Sequence, residues 1–485
     1  MMSMKRTGRV FTVLGGVVVL ATLVADLVLG GDEGFGAFQF FGIEVGILIF
    51  LIGIGLFALD LNGKVSIRER LHALAEQIIV WPNVVWVTLA FLILYIPFFL
   101  FPLFFSQTQI HYFTKYIPNA YITHVGFDIE AIISRVQAWL ATGQSPYADG
   151  FIAYPPLAIA LFTPLSIIGY PAYFELMTGL TVAAYMMAAL VIPLLIIPKR
   201  NHALLFLLFV TGLFSYGLQF EQERGQFNLI AFTLCLSAIY LYHYHHKFRY
   251  FAYLLFSLSV QLKVYPIMFV AMFIEEWRDW KKHLRRLLGL GVVNFSLLFV
   301  LGYKFYGDFV KAITAYQFDY LSSRYENLSI KAYSYYLSTT LFGAETMTKA
   351  PAWFEILFLA LVVLAFLVVI LAAWKRRVRG LNPSLLLVCT LAALLIPSVS
   401  NDYKLSILIV PMTLFLCRKT AVFGKSKKIV HIFLILLTSL AYWSTLYPAT
   451  VKPDFLDRNF PALTLILVSA TALSSLAPYM DENVP

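Results

Sequence analysis

The chain has 485 residues, of which 60% are hydrophobic and only 13% are charged. Soluble domains are about 25% charged, so this composition excludes an ordinary soluble protein. The net charge of +10 does not indicate nucleic-acid binding, because the basic residues cluster in short connectors between apolar runs, as positive-inside topology signals do. The chain contains no P-loop and no GxGxxG element after a strand, which excludes the common nucleotide-binding motifs.

Apolar runs of about 20 residues recur along the chain, and a run of that length crosses a hydrocarbon core of about 30 Å. They predict an all-α, polytopic membrane protein with about 12–14 transmembrane helices. The candidate spans lie at residues 9–30, 37–59, 83–105, 155–169, 172–197, 203–218, 228–244, 250–274, 288–303, 353–374, 382–398, 404–418, 429–446 and 460–478. Single crossings would place both termini in the cytoplasm and the large loops 106–153 and 304–352 outside. The run 250–274 contains Lys263 followed by Tyr265 and Pro266, a pattern typical of a broken or re-entrant helix.

The runs divide into three predicted parts. Residues 1–82 hold two N-terminal spans and a linker over 60–82 that has the pattern of an interfacial amphipathic helix. Residues 83–418 form the core, and residues 419–485 add C-terminal spans. The chain shows no internal repeat, which disfavours a transporter because many transporters are built from repeated halves.

The segment from Gly126 to Pro156 is polar and acidic although it lies between hydrophobic runs. Apolar residues at 129, 132, 133, 136 and 140 have the spacing of one helical face, which predicts a juxtamembrane helix in the first outer loop. Asp128 and Glu130 lie at its start, where carboxylates close to a membrane indicate a functional site. A purely structural role is the alternative, since acids also stabilise helix N-termini.

Several short motifs follow in a recognisable order. After the acidic helix come Gly143 to Tyr147 and the sequence Tyr154-Pro155-Pro156-Leu157. The later elements are Arg224-Gly225-Gln226-Phe227-Asn228, Gln261-Leu262-Lys263-Val264-Tyr265-Pro266 and Glu326-Asn327-Leu328-Ser329. Together, over about residues 83–418, they resemble the GT-C superfamily of membrane glycosyltransferases, and most closely its bacterial polyprenol-phosphate-mannose-dependent mannosyltransferases.

The resemblance implies a specific chemistry. Such enzymes transfer a hexose, here mannose, from a polyprenyl-phosphate donor to a lipid or glycan acceptor, usually with inversion at the anomeric carbon. The site would face the periplasm from a bacterial cytoplasmic membrane, with membrane lipids around it. Asp128 matches the catalytic first-loop acid, and Glu130 completes a D-x-E pair like the D-x-D of the family.

The remaining candidate residues are assigned by charge and by motif. Arg224, Lys263 and Arg324 would contact the donor phosphate, because a leaving phosphate needs fixed cations. Gln226, Asn228 and Tyr265 would contact the donor phosphate or sugar, and Tyr147, Tyr154, Asn327 and Asn401 would line the substrate loops. Structural alternatives stay open: Lys263 in a buried pair, Arg224 paired with Glu221 or Glu223, and Arg324 solvated.

No cofactor is predicted. Asp128 and Glu130 could share a divalent cation, but no third carboxylate is suitably placed, so we expect no metal. The three cysteines lie in apolar runs and form no CxxC pair. An O-antigen polymerase or ligase, a lipid or sugar transporter, and a non-catalytic scaffold are the rival interpretations.

Overall fold

The computed structural model describes residues 10–18, 21, 49, 81–96, 100, 125–150, 152–275, 279–318, 327–342, 352–376, 380–419 and 454–476. The predicted linker helix, Arg324, the span 429–446 and most of the first two spans lie outside these residues. The chain divides into two compact units, residues 1–125 with 444–452, and residues 126–443 with 453–485.

The described residues are helical, as the composition predicts, and they contain no β-strand. The first unit contains α1 (Trp81–Tyr95). The second unit contains α2 (Phe127–Thr142), α3 (Pro156–Phe162), α4 (Ala172–Met186), α5 (Ile192–Ile196), α6 (His202–Gly212), α7 (Tyr216–Arg224), α8 (Asn228–Tyr244), α9 (Arg249–Leu262), α10 (Trp280–Leu297), α11 (Tyr303–Phe318), α12 (Ile330–Phe342), α13 (Ala352–Arg376), α14 (Pro383–Leu395), α15 (Ile409–Lys419) and α16 (Asp454–Leu476). Short 3₁₀ segments cover Thr163–Ile167, Lys199–Asn201, His246–Phe248, Tyr265–Phe273 and Asp402–Leu408, and a π turn at Met187–Val191 joins α4 to α5.

Two described helices are long and apolar enough to cross a membrane, Ala172–Ile196 and Trp353–Arg376, and a bent pair formed by α6 and α7 gives a third candidate. The second of these, within α13, exposes large apolar side chains such as Ile356 and Leu364, as expected for a surface solvated by lipid. All thirteen residues of α14 are buried, so this helix lies in the centre of the second unit. The chain is an integral membrane protein, and the total of 12–14 spans stays a prediction.

The helix α2 begins and ends close to where its sequence pattern indicated. Its buried face consists of Asp128, Ile129, Ile132, Ile133 and Val136. Gly143 ends the helix in the left-handed conformation and donates its N–H to the carbonyl of Trp139. Leu140, the last apolar residue of the predicted face, is 56% exposed.

Two predicted spans are interrupted. The segment 250–274 breaks as its sequence indicated: α9 ends at Leu262, Lys263 is extended with φ −143° and ψ 136°, and a 3₁₀ segment follows. The run 203–218 was expected to be one helix, but α6 and α7 meet at a 47° bend. The extended backbone of Ser215 (φ −66°, ψ 138°) produces this bend, and nothing in the apolar composition of the run marks it.

Two glycines lie where α2 approaches the end of α7. Gly126 and Gly225 both have left-handed backbones, with φ of +78° and +66°. A Cβ on Gly225 would lie 2.6 Å from Cγ2 of Ile129 and 3.3 Å from Cα of Gly126. Only glycine therefore fits this contact, and the contact sets the position of the first turn of α2.

The substitution Gly225→Ala is expected to lower the free energy of unfolding by about 2–4 kcal/mol, combining left-handed backbone strain with overpacking against Ile129. Gly143→Ala is the matched control, because Gly143 also has a positive φ (+73°) but has open space around it, and it is expected to cost only about 1–2 kcal/mol. Equilibrium unfolding in mixed micelles measures both. Equal costs would show that the close approach to Ile129 contributes nothing.

Candidate active site

Asp128 lies in the first turn of α2 and is buried, with 9% of its surface exposed. The amide of Gly126, one residue before α2, donates a 2.7 Å hydrogen bond to the carbonyl of Glu223 near the end of α7. This bond and the glycine contact described above fix where the carboxylate is held. Asp128 therefore faces the turn that follows α7, not open solvent.

Both oxygens of the Asp128 carboxylate have partners from this turn. Oδ1 forms an ion pair with Nη2 of Arg224 at 2.6 Å, and Oδ2 accepts a hydrogen bond from Nε2 of Gln226. The Arg224 guanidinium also lies over the rings of Phe127 and Phe220, 5.3 and 6.0 Å from their centroids. The carboxylate is thus oriented by a cation and an amide, while each oxygen keeps a second lone pair for another donor.

Gln226 connects the acid to a lysine. Its Oε1 accepts a 2.7 Å hydrogen bond from Nζ of Lys263. The Lys263 ammonium lies 4.4 Å from the ring centroid of Tyr154 and 4.3 Å from that of Phe227, and it donates to the Tyr154 hydroxyl at 3.3 Å. Arg224, Asp128, Gln226, Lys263 and Tyr154 form one connected set of contacts, which we call the acid–lysine network.

Tyr154 is held by the loop that leads into α3. The hydroxyl of Tyr147 donates a 2.8 Å hydrogen bond to the Tyr154 carbonyl, and the Tyr147 ring packs against Phe305 and Phe309. Burial, and then the nearby Asp308, raises the pKa of the Tyr147 hydroxyl far above its ordinary value. Tyr147 is therefore a neutral hydrogen-bond donor that positions the loop.

A cavity of about 280 Å³ opens beside Lys263. Its lining combines polar side chains with an apolar wall. The lining residues are Ala153, Tyr154, Lys263, Val264, Tyr265, Ile267, Met268, Ile313, Ile396, Pro397, Ser398, Val399, Asn401, Tyr403 and Lys404. An amphiphilic ligand with an anionic end suits such a lining.

The structure brings some of the other predicted residues to the cavity. Tyr265 and Asn401 line it. The Tyr265 hydroxyl donates to the carbonyl of Asn228 at 2.7 Å. Asn327 pairs with Asn401 in an isolated antiparallel bridge, and its amide donates to the carbonyl of Ser398 at 3.0 Å, so its role here is to hold the cavity wall.

Two predicted residues lie away from the cavity. The side chain of Asn228 is fully buried, and neither atom of its amide has a hydrogen-bond partner among the described residues. Glu130 lies two residues after Asp128 on α2, so the two side chains leave the helix on different sides, and Glu130 is near the hydroxyls of Tyr170 and Tyr173. The two acids of the D-x-E pair do not converge, and Arg324 lies outside the described residues.

Two charged residues of the site were not among the predicted site residues. Lys404 lines the cavity, and Glu221 accepts hydrogen bonds from the amide of Leu229 at 2.7 Å and from the hydroxyl of Ser406. Lys404 ends the short polar connector that begins at Asn401 and separates two apolar runs, a signal that the sequence does carry. Nothing local to Glu221 indicates that its partner lies 185 residues further along the chain.

The described residues offer no cluster of three His, Cys, Asp or Glu side chains that could hold a metal ion. Side chains supply the positive charge near Asp128: Arg224 contacts its carboxylate directly, and Lys263 is connected to it through Gln226.

The Asp128–Arg224 pair is expected to couple more strongly than an exposed pair of the same chemistry. A double-mutant cycle with Asp128→Asn and Arg224→Gln should give a coupling energy above about 1.5 kcal/mol, because both groups are largely buried. The matched control is Arg135–Asp149, where 51% of the aspartate side chain is exposed, with an expected coupling below about 1 kcal/mol. Equilibrium unfolding in mixed micelles gives both coupling energies. Similar coupling energies for the two pairs would contradict the expectation that burial strengthens the Asp128–Arg224 pair.

Comparison with known proteins gives one match. A family model described as glycosyltransferase family 87 matches residues 151–399, just over half of the chain. Curated proteins and solved structures give no match. The matched range includes Tyr154, Arg224, Gln226 and Lys263, whereas Asp128 precedes it. The chain belongs to glycosyltransferase family 87, a GT-C-type family.

Proposed function

We propose that this glycosyltransferase moves a hexose, mannose by resemblance, from a polyprenyl-phosphate donor to a lipid or glycan acceptor. The observation that carries the proposal is the acid–lysine network, which connects a buried carboxylate to a cation on the wall of an amphiphilic cavity. A carboxylate can accept the acceptor's proton, and cations can receive a leaving phosphate. Family membership favours this transfer over the polymerase, ligase and transporter alternatives.

In the proposed reaction the acceptor hydroxyl attacks the anomeric carbon as Asp128 takes its proton. The bond between that carbon and the donor oxygen breaks, and its electron pair goes to the polyprenyl phosphate. Attack opposite to the leaving group inverts the anomeric centre. Arg224 and Gln226 orient the carboxylate, and Lys263 stabilises the charge that grows on the phosphate.

We assign the base to Asp128 and not to Glu130, because Glu130 faces Tyr170 and Tyr173 instead of the network. Tyr154 and Asn401 are placed to contact the substrate at the cavity wall. Arg324 stays a candidate for phosphate contact. We further propose that the site opens on the outer face of a bacterial cytoplasmic membrane, where lipid-linked sugars replace nucleotide sugars as donors.

The substitution Asp128→Asn keeps the size of the side chain but removes the base, and it is expected to reduce sugar transfer about 10²–10⁴-fold. The measurement is transfer by the purified protein in lipid from a panel of polyprenyl-phosphate hexoses to membrane-lipid acceptors, with donor binding measured in parallel. Asp149→Asn is the matched control, since Asp149 is also paired with an arginine but is half-exposed, and it should retain full transfer. Undiminished transfer by Asp128→Asn would show that Asp128 is not the base.

We also propose that the reaction needs no divalent metal, because Arg224 and Lys263 supply positive charge at the acid and at the cavity. Treatment with EDTA should leave turnover unchanged. Loss of turnover that Mg²⁺ or Mn²⁺ restores would contradict the proposal and would direct attention to Asp128 as a metal ligand.

A further inference from the structure

We propose that the cavity beside Lys263 binds the phosphate and the adjoining isoprenoid chain of the lipid donor, and that Lys404 is a second cation on this phosphate. The proposal rests on the proposed function, which it deepens by assigning the leaving-group end of the site.

The cavity has two chemically different walls. Lys263 and Lys404 supply two ammonium groups, while Ile267, Met268 and Ile313 belong to the apolar lining. A phosphate attached to a hydrocarbon chain matches both walls at once, whereas a free sugar or a free phosphate matches only one. The volume of about 280 Å³ is close to the lower end of small-ligand sites, which suits a headgroup and the start of a chain.

The apolar wall continues to the surface of the protein. Val264 is 43% exposed and Ile267 is 41% exposed, although both line the cavity. In a membrane protein such a surface faces hydrocarbon. An isoprenoid chain can therefore leave the cavity along these side chains and stay in the bilayer while its phosphate remains beside the lysines.

Lys404 lacks the compensation that Lys263 has. The Lys404 ammonium donates to the carbonyl of Val399 at 3.0 Å, and none of the described carboxylates forms an ion pair with it. Lys263, in contrast, lies near enough to Glu221 and Asp128 for both carboxylates to act on it. A half-buried ammonium without a counter-ion is costly, and an anionic ligand in the cavity would provide one.

The position of Lys404 is fixed by tight packing. The segment Asp402–Leu408 lies against α7, where a Cβ on Gly217 would be 2.3 Å from the backbone nitrogen of Ser406. Glu221 on α7 also accepts a hydrogen bond from the Ser406 hydroxyl. Since α7 ends at Arg224, the same helix positions Lys404 and the cation that pairs with Asp128.

The charge change during transfer gives the second lysine a role. The donor is a phosphodiester with one negative charge. When its bond to the anomeric carbon breaks, the electron pair stays on the phosphate oxygen, and the product monoester carries up to two negative charges. The two ammonium groups share the single charge of the bound donor, and each is fully paired only as the bond breaks, so each lowers the barrier more than it strengthens binding of the donor.

The experiment measures equilibrium binding of labelled farnesyl phosphate to the purified full-length protein in detergent, with farnesol and inorganic phosphate as competing probes. The variants are Lys404→Met, the conservative Lys404→Arg, and Lys199→Met as a matched control at an exposed lysine. Lys404→Met is expected to weaken farnesyl phosphate binding about tenfold to a hundredfold. Farnesol binding should be unchanged, Lys404→Arg should restore most of the phosphate affinity, and Lys199→Met should behave as wild type.

Equal affinity of wild type and Lys404→Met for farnesyl phosphate would overturn the proposal, as would inorganic phosphate that competes as strongly as the lipid phosphate. In the transfer assay, Lys404→Met should lower kcat more than it raises KM. The binding measurement uses neither sugar nor acceptor, so its result is separate from the proposed function. Absence of sugar transfer together with Lys404-dependent binding would reject the transferase mechanism and retain the lipid-phosphate site.

Discussion

The buried ion pair between Asp128 and Arg224 is the interaction on which the rest of the site depends. Two charges in a medium of low dielectric are stable only when they lie close together and their other polar atoms are satisfied. The close approach of α2 to the end of α7 meets the first condition, and it is possible because Gly225 has no side chain that would meet Ile129 and Gly126. Gln226 meets part of the second condition by donating a hydrogen bond to Oδ2 of Asp128, the oxygen that Arg224 does not contact. The pair thus requires a particular backbone as well as particular charges.

Gln226 links the ion pair to the cavity through its hydrogen bonds to Asp128 and Lys263. A primary amide has a donor end and an acceptor end, and here Nε2 contacts Asp128 while Oε1 contacts Lys263. A neutral group therefore separates the proposed base from Lys263 without neutralising either one. In a glycosyl transfer the base must lie on the side of the acceptor and the cations on the side of the leaving group. The amide fixes the separation between those two sides before any substrate binds.

Local sequence patterns were sufficient to predict individual helices and one helix break. Apolar spacing predicted α2, and the Lys263-to-Pro266 motif predicted the break after α9. They could not predict the contacts between helices, because periodicity describes one helix and not the distant segments that pack against it. Asp128 and Gln226 are 98 residues apart in sequence, and only their motif order suggested that they belong together. The bend at Ser215 and the burial of Asn228 follow from packing that no short motif encodes, whereas the divergence of Glu130 from Asp128 follows from their spacing of two residues on one helix.

Four charged residues of the site share one property that explains their convergence: each lies where a helix begins, ends or breaks. Asp128 opens α2, Arg224 closes α7 beside the left-handed turn at Gly225, and Lys263 occupies the extended residue after α9. Lys404 lies in a 3₁₀ segment that precedes α15. Inside a membrane, irregular backbone is tolerated only where other protein groups satisfy it or where it lines a polar cavity. Interruptions of neighbouring helices therefore gather at one place, and the charges that they carry gather with them. The same constraint that makes broken helices rare in membranes brings these four charged residues together around the cavity beside Lys263.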